Sequence, residues 1–295
     1  MTALRPFLLA CLLAPLAGCG LLERPLAVAD APAVVRGQAP VLAAGLAQRP
    51  APATGRVASA AWRELEHDSD LFGLALRLRA RADGGDVQAS WQLSRIHEYC
   101  AGYAADPARY AQVGPPGVGV AAARARISRR CGGFAPGDGL GREQVLARRQ
   151  QAALAGNLAA EASLLGLGQP LFDDAEYRRD LVERVLAEGE GEALYALAPA
   201  MGRRAARDPA MNGLMAGELE HELAWRLAAC ELGKDCGPGS MAMDSYCAHG
   251  GICASQAGDH LMDLVQQDAH KRGVTSDPAT LLMQQLLEAR RKAWR

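Results

Sequence analysis

Three times along this chain a glycine is followed four residues later by alanine, and four residues after that by leucine. The copies are Gly85/Ala89/Leu93, Gly156/Ala160/Leu164 and Gly189/Ala193/Leu197. The second and third lie 33 residues apart, and the first and second 71, close to two such periods. Steps of four residues place alanine and leucine on one face of a helix. A glycine ahead of that face permits the tight turn between paired helices. Alanine then lets the second helix approach the first, and leucine fills the groove beyond it. Periods of this length point to stacked helical hairpins. The expected body is all-α, a solenoid-like α/α-hairpin repeat over residues 59–295, with a generic all-α bundle as the alternative.

Composition leans the same way. Aromatic residues make up 5% of the chain, β-branched residues are scarce, and Ala and Leu dominate a hydrophobic content of 49%. Ala, Leu, Arg, Glu and Gln are good helix formers. No run alternates as a strand would. Leu71, Leu74 and Leu78 mark one apolar helix face, and Leu219, Leu223, Leu227 and Cys230 mark another. Asp106-Pro107, Asp208-Pro209 and Asp277-Pro278 each have the form of a helix start, with Asp as cap and Pro at the first position. The formal net charge is -1, so no overall basic field exists to attract nucleic acid.

The N-terminus carries an address. Arg5 precedes an apolar run, Phe7 to Leu16, too short to span a bilayer. It ends in Leu16-Ala17-Gly18-Cys19, which resembles the bacterial lipobox. The resemblance implies that residues 1–18 are a lipoprotein signal peptide, with acyl chains carried on Cys19. Several chains together anchor a protein stably, where one alone does not. Gly20 stands where lipoproteins of the inner membrane usually carry Asp, so the resemblance favours the outer membrane, facing the periplasm. Residues 19–58 are rich in Ala and Pro and show no period, as expected of a disordered tether.

The segments GGDVQASWQLSRIHEYC and ALAGNLAAEASLLGLG resemble Sel-like repeats, a branch of the tetratricopeptide superfamily. The likeness covers roughly residues 60–230 and rests on the Gly-x3-Ala-x3-Leu pattern. It implies paired antiparallel helices and a surface used for protein–protein contact.

Six cysteines remain beyond Cys11 and Cys19: Cys100, Cys131, Cys230, Cys236, Cys247 and Cys253. An even number in an exported chain favours three disulfides. Local bridges 230–236 and 247–253 would clamp two turns of a C-terminal hairpin over 230–253, leaving Cys100 for Cys131. Crossed bridges, 230–253 with 236–247, are the rival. Zinc held by these cysteines and His249 is a third reading, weakened by C-x5-C spacing where zinc sites use shorter loops.

Little else carries chemistry. His221-Glu222 lacks the second histidine of a zincin, and no Gly-x-Ser-x-Gly elbow is present. Glu218, Glu220 and Glu222 read as a solvated face, and Arg129-Arg130, Arg148-Arg149 and Arg203-Arg204 as helix ends. His67, His97, His260 and His270 are scattered and read as surface or satisfied helix residues. No catalytic residue, metal or cofactor is expected. The function that follows is a lipid-anchored scaffold or adaptor with an envelope protein partner and no nucleic acid. The alternatives are a peptidoglycan-acting enzyme with a Glu acid, and a periplasmic inhibitor or immunity lipoprotein.

Overall fold

The computed structural model describes residues 62–293, apart from 111, 113–116, 257, 272 and 274–276. The signal segment, Cys19 and the tether lie outside the described residues. Among the described residues the chain forms thirteen helices and no strand. They are α1 (62–67), α2 (Leu71–Asp83), α3 (Val87–Ala105), α4 (Pro107–Tyr110), α5 (Val118–Arg130), α6 (Arg142–Leu154), α7 (Leu158–Gly166), α8 (Ala175–Glu188), α9 (Gly191–Met201), α10 (Leu219–Glu231), α11 (Met241–Gly250), α12 (Leu261–Lys271) and α13 (Pro278–Ala293).

Local chemistry sets many of these boundaries. The side chains of Asp70, Asp86, Asn157, Asp174 and Ser240 each accept a hydrogen bond from a backbone N–H in the first turn of the helix they precede. Asp106 and Asp277 do the same ahead of α4 and α13. At the far ends, glycines close the turns. Gly85 and Gly156 sit at φ of 92° and 95°, left-handed backbone that other residues rarely adopt. The next residue, Asp86 or Asn157, donates its N–H back to a carbonyl five positions earlier, Arg81 or Ala152. That pattern is the Schellman turn, and it recurs at Gly168 and Gly233. One residue thus ends a helix and the next caps the following one, which forces a hairpin.

Packing follows the repeat. Ala89, Ala160 and Ala193 are fully buried, as are Leu93, Leu164 and Leu197. An unbroken series of helix contacts runs α2–α3–α6–α7–α9–α10–α13. The closest approaches need glycine: a Cβ at Gly166 would lie 2.6 Å from the Ala196 carbonyl oxygen, and one at Gly191 2.7 Å from that of Ala229. The interruption between the first two copies is α4 and α5, held at its ends by the Cys100–Cys131 disulfide. One apolar core gathers around Trp91, Leu164, Leu197 and Trp225, and a second around Leu71, Leu93, Ile96 and Ile127. Helix α11 serves both: Ala242 and Met243 enter the first, Met241, Cys247 and Ala248 the second.

Several sequence expectations need correction. Leu219 is 44% exposed, because α10 buries Ala224, Trp225, Leu227 and Ala228 and leaves its first residue outside the packed face. Glu222 is half-buried rather than free on a solvated face, and accepts from Arg226 at 2.6 Å. The pair Arg129-Arg130 ends α5 as expected, whereas Arg148-Arg149 lies inside α6. Arg130 donates to the carbonyls of Leu65, Glu66 and Asp68 at the end of α1, and Arg204 to that of Gly166 at the end of α7. Each caps another helix's free carbonyls, which ties neighbours together. His97 is buried, and neither ring nitrogen has a partner among the described residues.

Candidate functional site

Three disulfides are formed: Cys100–Cys131, Cys230–Cys236 and Cys247–Cys253. The C-terminal pairs are therefore local, not crossed, and these cysteines are spent on bridges. Among the described residues no cluster of three or more His, Cys, Asp or Glu could hold a metal ion. Each bridge restricts the unfolded chain and contributes about 2–4 kcal/mol.

A pocket of about 390 Å3, within the range of small-molecule sites, opens between the helices. Six helices meet there. Helix α3 brings Arg95, Glu98 and Tyr99; α6 brings Arg149; α7 brings Ser163 and Gly166. From α9 come Tyr195 and Pro199, from α10 Arg226, and from α11 Ser245, Tyr246 and His249. Three of the six carry a bridged cysteine, Cys100 on α3, Cys230 on α10 and Cys247 on α11.

Its guanidinium groups are fixed rather than free. Arg226 lies over the rings of Tyr195 and Tyr246, 4.9 and 5.3 Å from their centroids. Arg95 and Arg149 both lie over the Trp91 ring, at 5.8 and 5.4 Å. Stacking of this kind holds a cation's orientation as well as lowering its energy. Arg95 and Arg149 share one carboxylate oxygen, Glu98 Oε2, at 2.5 and 2.7 Å. Burial pushes the Glu98 carboxyl up, but the two arginines outweigh it and hold it below the usual carboxylate range. Burial pushes the Tyr246 phenol well above its ordinary value, so it stays protonated and a donor. His249 is lowered by burial and by Arg124, and stays neutral near pH 7. The Tyr99 hydroxyl is already engaged, donating to Asp244 at 2.9 Å.

Within electrostatic reach of Arg95 lies a second charged group. Lys234 pairs with Glu66 and with Glu192, the latter at 2.8 Å, and all three are buried. The Met241 N–H donates to the other oxygen of Glu66 at 2.9 Å. Taken together, Arg95, Arg149, Arg226 and Lys234 are balanced by Glu66, Glu98, Glu192 and Glu222. Such balance is what allows the buried members, Arg149, Lys234, Glu66 and Glu192, to stay in a helical core.

Of this pocket's residues the sequence readings gave a role only to His249, as a zinc ligand in a reading that the formed bridges set aside. Its arginines come from unrelated positions, and only the fold brings them together. The repeat residues Ala89, Leu93, Ala160, Leu164, Ala193 and Leu197 lie behind it in the cores. A second pocket, about 520 Å3, lies beside the Cys230–Cys236 bridge, with Glu231, Asp235, His260 and Asp263 in its walls.

No family model matches this chain, and neither a curated protein nor a solved structure does.

Proposed function

We propose that this protein is a lipid-anchored lipoprotein of the bacterial envelope whose all-α body is a binding module for an envelope partner. The lipobox-like Leu16-Ala17-Gly18-Cys19 supports the anchor, with residues 19–58 as its tether. Three formed disulfides support an oxidising compartment such as the periplasm. The Gly-x3-Ala-x3-Leu hairpins support the kinship with Sel-like repeats, and with it a scaffold or adaptor role.

One observation carries the binding reading: six helices form a pocket whose charged groups are already held by ion pairs and ring stacking. A preformed site of this kind suits recognition. It does not suit acid catalysis by its own carboxylate, because a general acid needs a raised pKa and Glu98 is lowered. Glu190 is raised, by burial and by the neighbouring Glu192, yet it does not line the pocket.

Fractionation and capture test the proposal together. The native chain is expected in the membrane fraction, and Cys19→Ala in the soluble periplasmic one. Crosslinking in cells, then purification in detergent, is expected to bring down one envelope protein in near-stoichiometric amount. A Cys19→Ala chain that stays in the membrane fraction would refute the anchor, and no reproducible partner would refute the adaptor role.

A further inference from the structure

We infer that the pocket between α3, α6, α7, α9, α10 and α11 binds a monoanionic carboxylate borne on an apolar or aromatic stem. The inference rests on the binding-module reading above and gives its site a ligand chemistry.

The first support is the donor inventory. Arg95, Arg149, Arg226, Ser245, Tyr246 and His249 line the pocket and carry N–H or O–H groups. Against them the only acidic side chain in the lining is Glu98, and Arg95 and Arg149 already share it. A lining with three guanidinium groups and one carboxylate is complemented by a ligand that brings acceptor oxygens. A carboxylate brings two in one plane, the geometry that a guanidinium fork matches.

The second support is charge. The surrounding network balances four cations against four carboxylates. Adding one negative charge to a balanced network costs less than adding two, which favours a carboxylate over a phosphate dianion. The third support is the remaining wall. Gly166, Leu167, Ala196, Pro199 and Met241 add apolar surface to the lining. An apolar stem buries there while its charged end meets the donors.

The ligand chemistry has two sources, a free small organic acid or the C-terminal carboxylate of a partner chain. The complete protein in detergent is titrated with 3-phenylpropanoate and its amide by calorimetry. It is then titrated with a short peptide ending in phenylalanine, as free acid and as amide. Binding of 3-phenylpropanoate but not its amide supports the inference with a small acid as ligand. Binding of only the free-acid peptide supports it with a chain end as ligand. Equal binding of acid and amide, or no binding of any probe, overturns it. Arg226→Gln is expected to weaken the acid by about tenfold and to leave the amide unchanged. Tyr246→Phe removes one donor without emptying the wall and is expected to weaken it by about threefold. If Arg226→Gln loses its helical circular dichroism, Tyr246→Phe and Ser245→Ala decide, and unchanged affinity in both overturns the inference. Partner capture in cells can persist when these titrations fail, so failure of the ligand chemistry is separable from failure of the binding-module reading.

Discussion

Glu66 and Lys234 are 168 residues apart in sequence and meet as a buried ion pair. Glu66 lies in the first described helix, and Lys234 in the turn closed by the Cys230–Cys236 bridge. Glu192 at the start of α9 completes the triad. Charge thus joins the first described helix to α9 and to the turn after α10. Burial pushes the Glu66 carboxyl up and the Lys234 ammonium down, and in each case the partner charges reverse the sign.

Removing the lysine exposes that dependence. Lys234→Met leaves Glu66 and Glu192 buried without their cation, which costs about 3–5 kcal/mol. Denaturant unfolding followed by circular dichroism measures it. The triple replacement Glu66→Gln, Lys234→Met, Glu192→Gln removes all three charges and is expected to cost less than Lys234→Met alone. A single-variant loss smaller than that of the triple would contradict the ionic account.

Acid acts through His97. Burial first, then Arg79 and Arg148, push its pKa down from 6.5 to about 4, with Asp138 pulling weakly the other way. The folded value lies below the unfolded one, so the unfolded chain binds more protons between them. Stability therefore rises with pH through this window and is lost as pH falls, by about 3 kcal/mol in all. His97→Leu is expected to flatten that acid limb. Identical stability-against-pH curves for the two proteins would contradict it.

Loop length ranks the disulfides. Cys100–Cys131 closes a separation of 31 residues, whereas Cys230–Cys236 and Cys247–Cys253 each close 6. By loop entropy the long bridge contributes about 4 kcal/mol and each short one about 2. Paired Cys→Ser replacements, bridge by bridge, measure this in urea. The reverse ranking would show that the short bridges act mainly through the native turns they hold.

The two kinds of glycine separate as well. At Gly85 a Cβ would meet nothing within 4 Å, so Gly85→Ala carries only the left-handed backbone cost, about 1–2 kcal/mol. At Gly191 a Cβ would meet the Ala229 carbonyl oxygen at 2.7 Å and the Lys234 amide nitrogen at 2.8 Å. Gly191→Ala must part α9 from α10 and is expected to cost more than Gly85→Ala. Thermal unfolding of the two variants compares them.

The helical body was legible because its signals are local. Gly85 and Gly156 end helices through their own φ angles, and Asp86 and Asn157 cap the next helix within three residues. The pocket was not legible. Arg149 looked like a helix-end cation in an Arg148-Arg149 pair, yet it is 1% exposed and shares Glu98 with Arg95. Nothing local distinguishes it from Arg148, which reaches outward to Asp83. Only the packing of α6 on α3 decides which of two adjacent arginines turns inward. Gly168 and Gly233 were missed for a smaller reason: they close the same Schellman turn without the Ala and Leu that marked the other copies.

The measurement that tests the account most directly is site-specific photocrosslinking in living cells, with the crosslinker placed at Ser245 in the pocket wall. The expected result is one dominant adduct with an envelope protein, lost when Arg226→Gln is introduced in the same chain. No adduct at Ser245, with a reproducible one from exposed Leu154 outside the pocket lining, would contradict the account by placing the partner on another face.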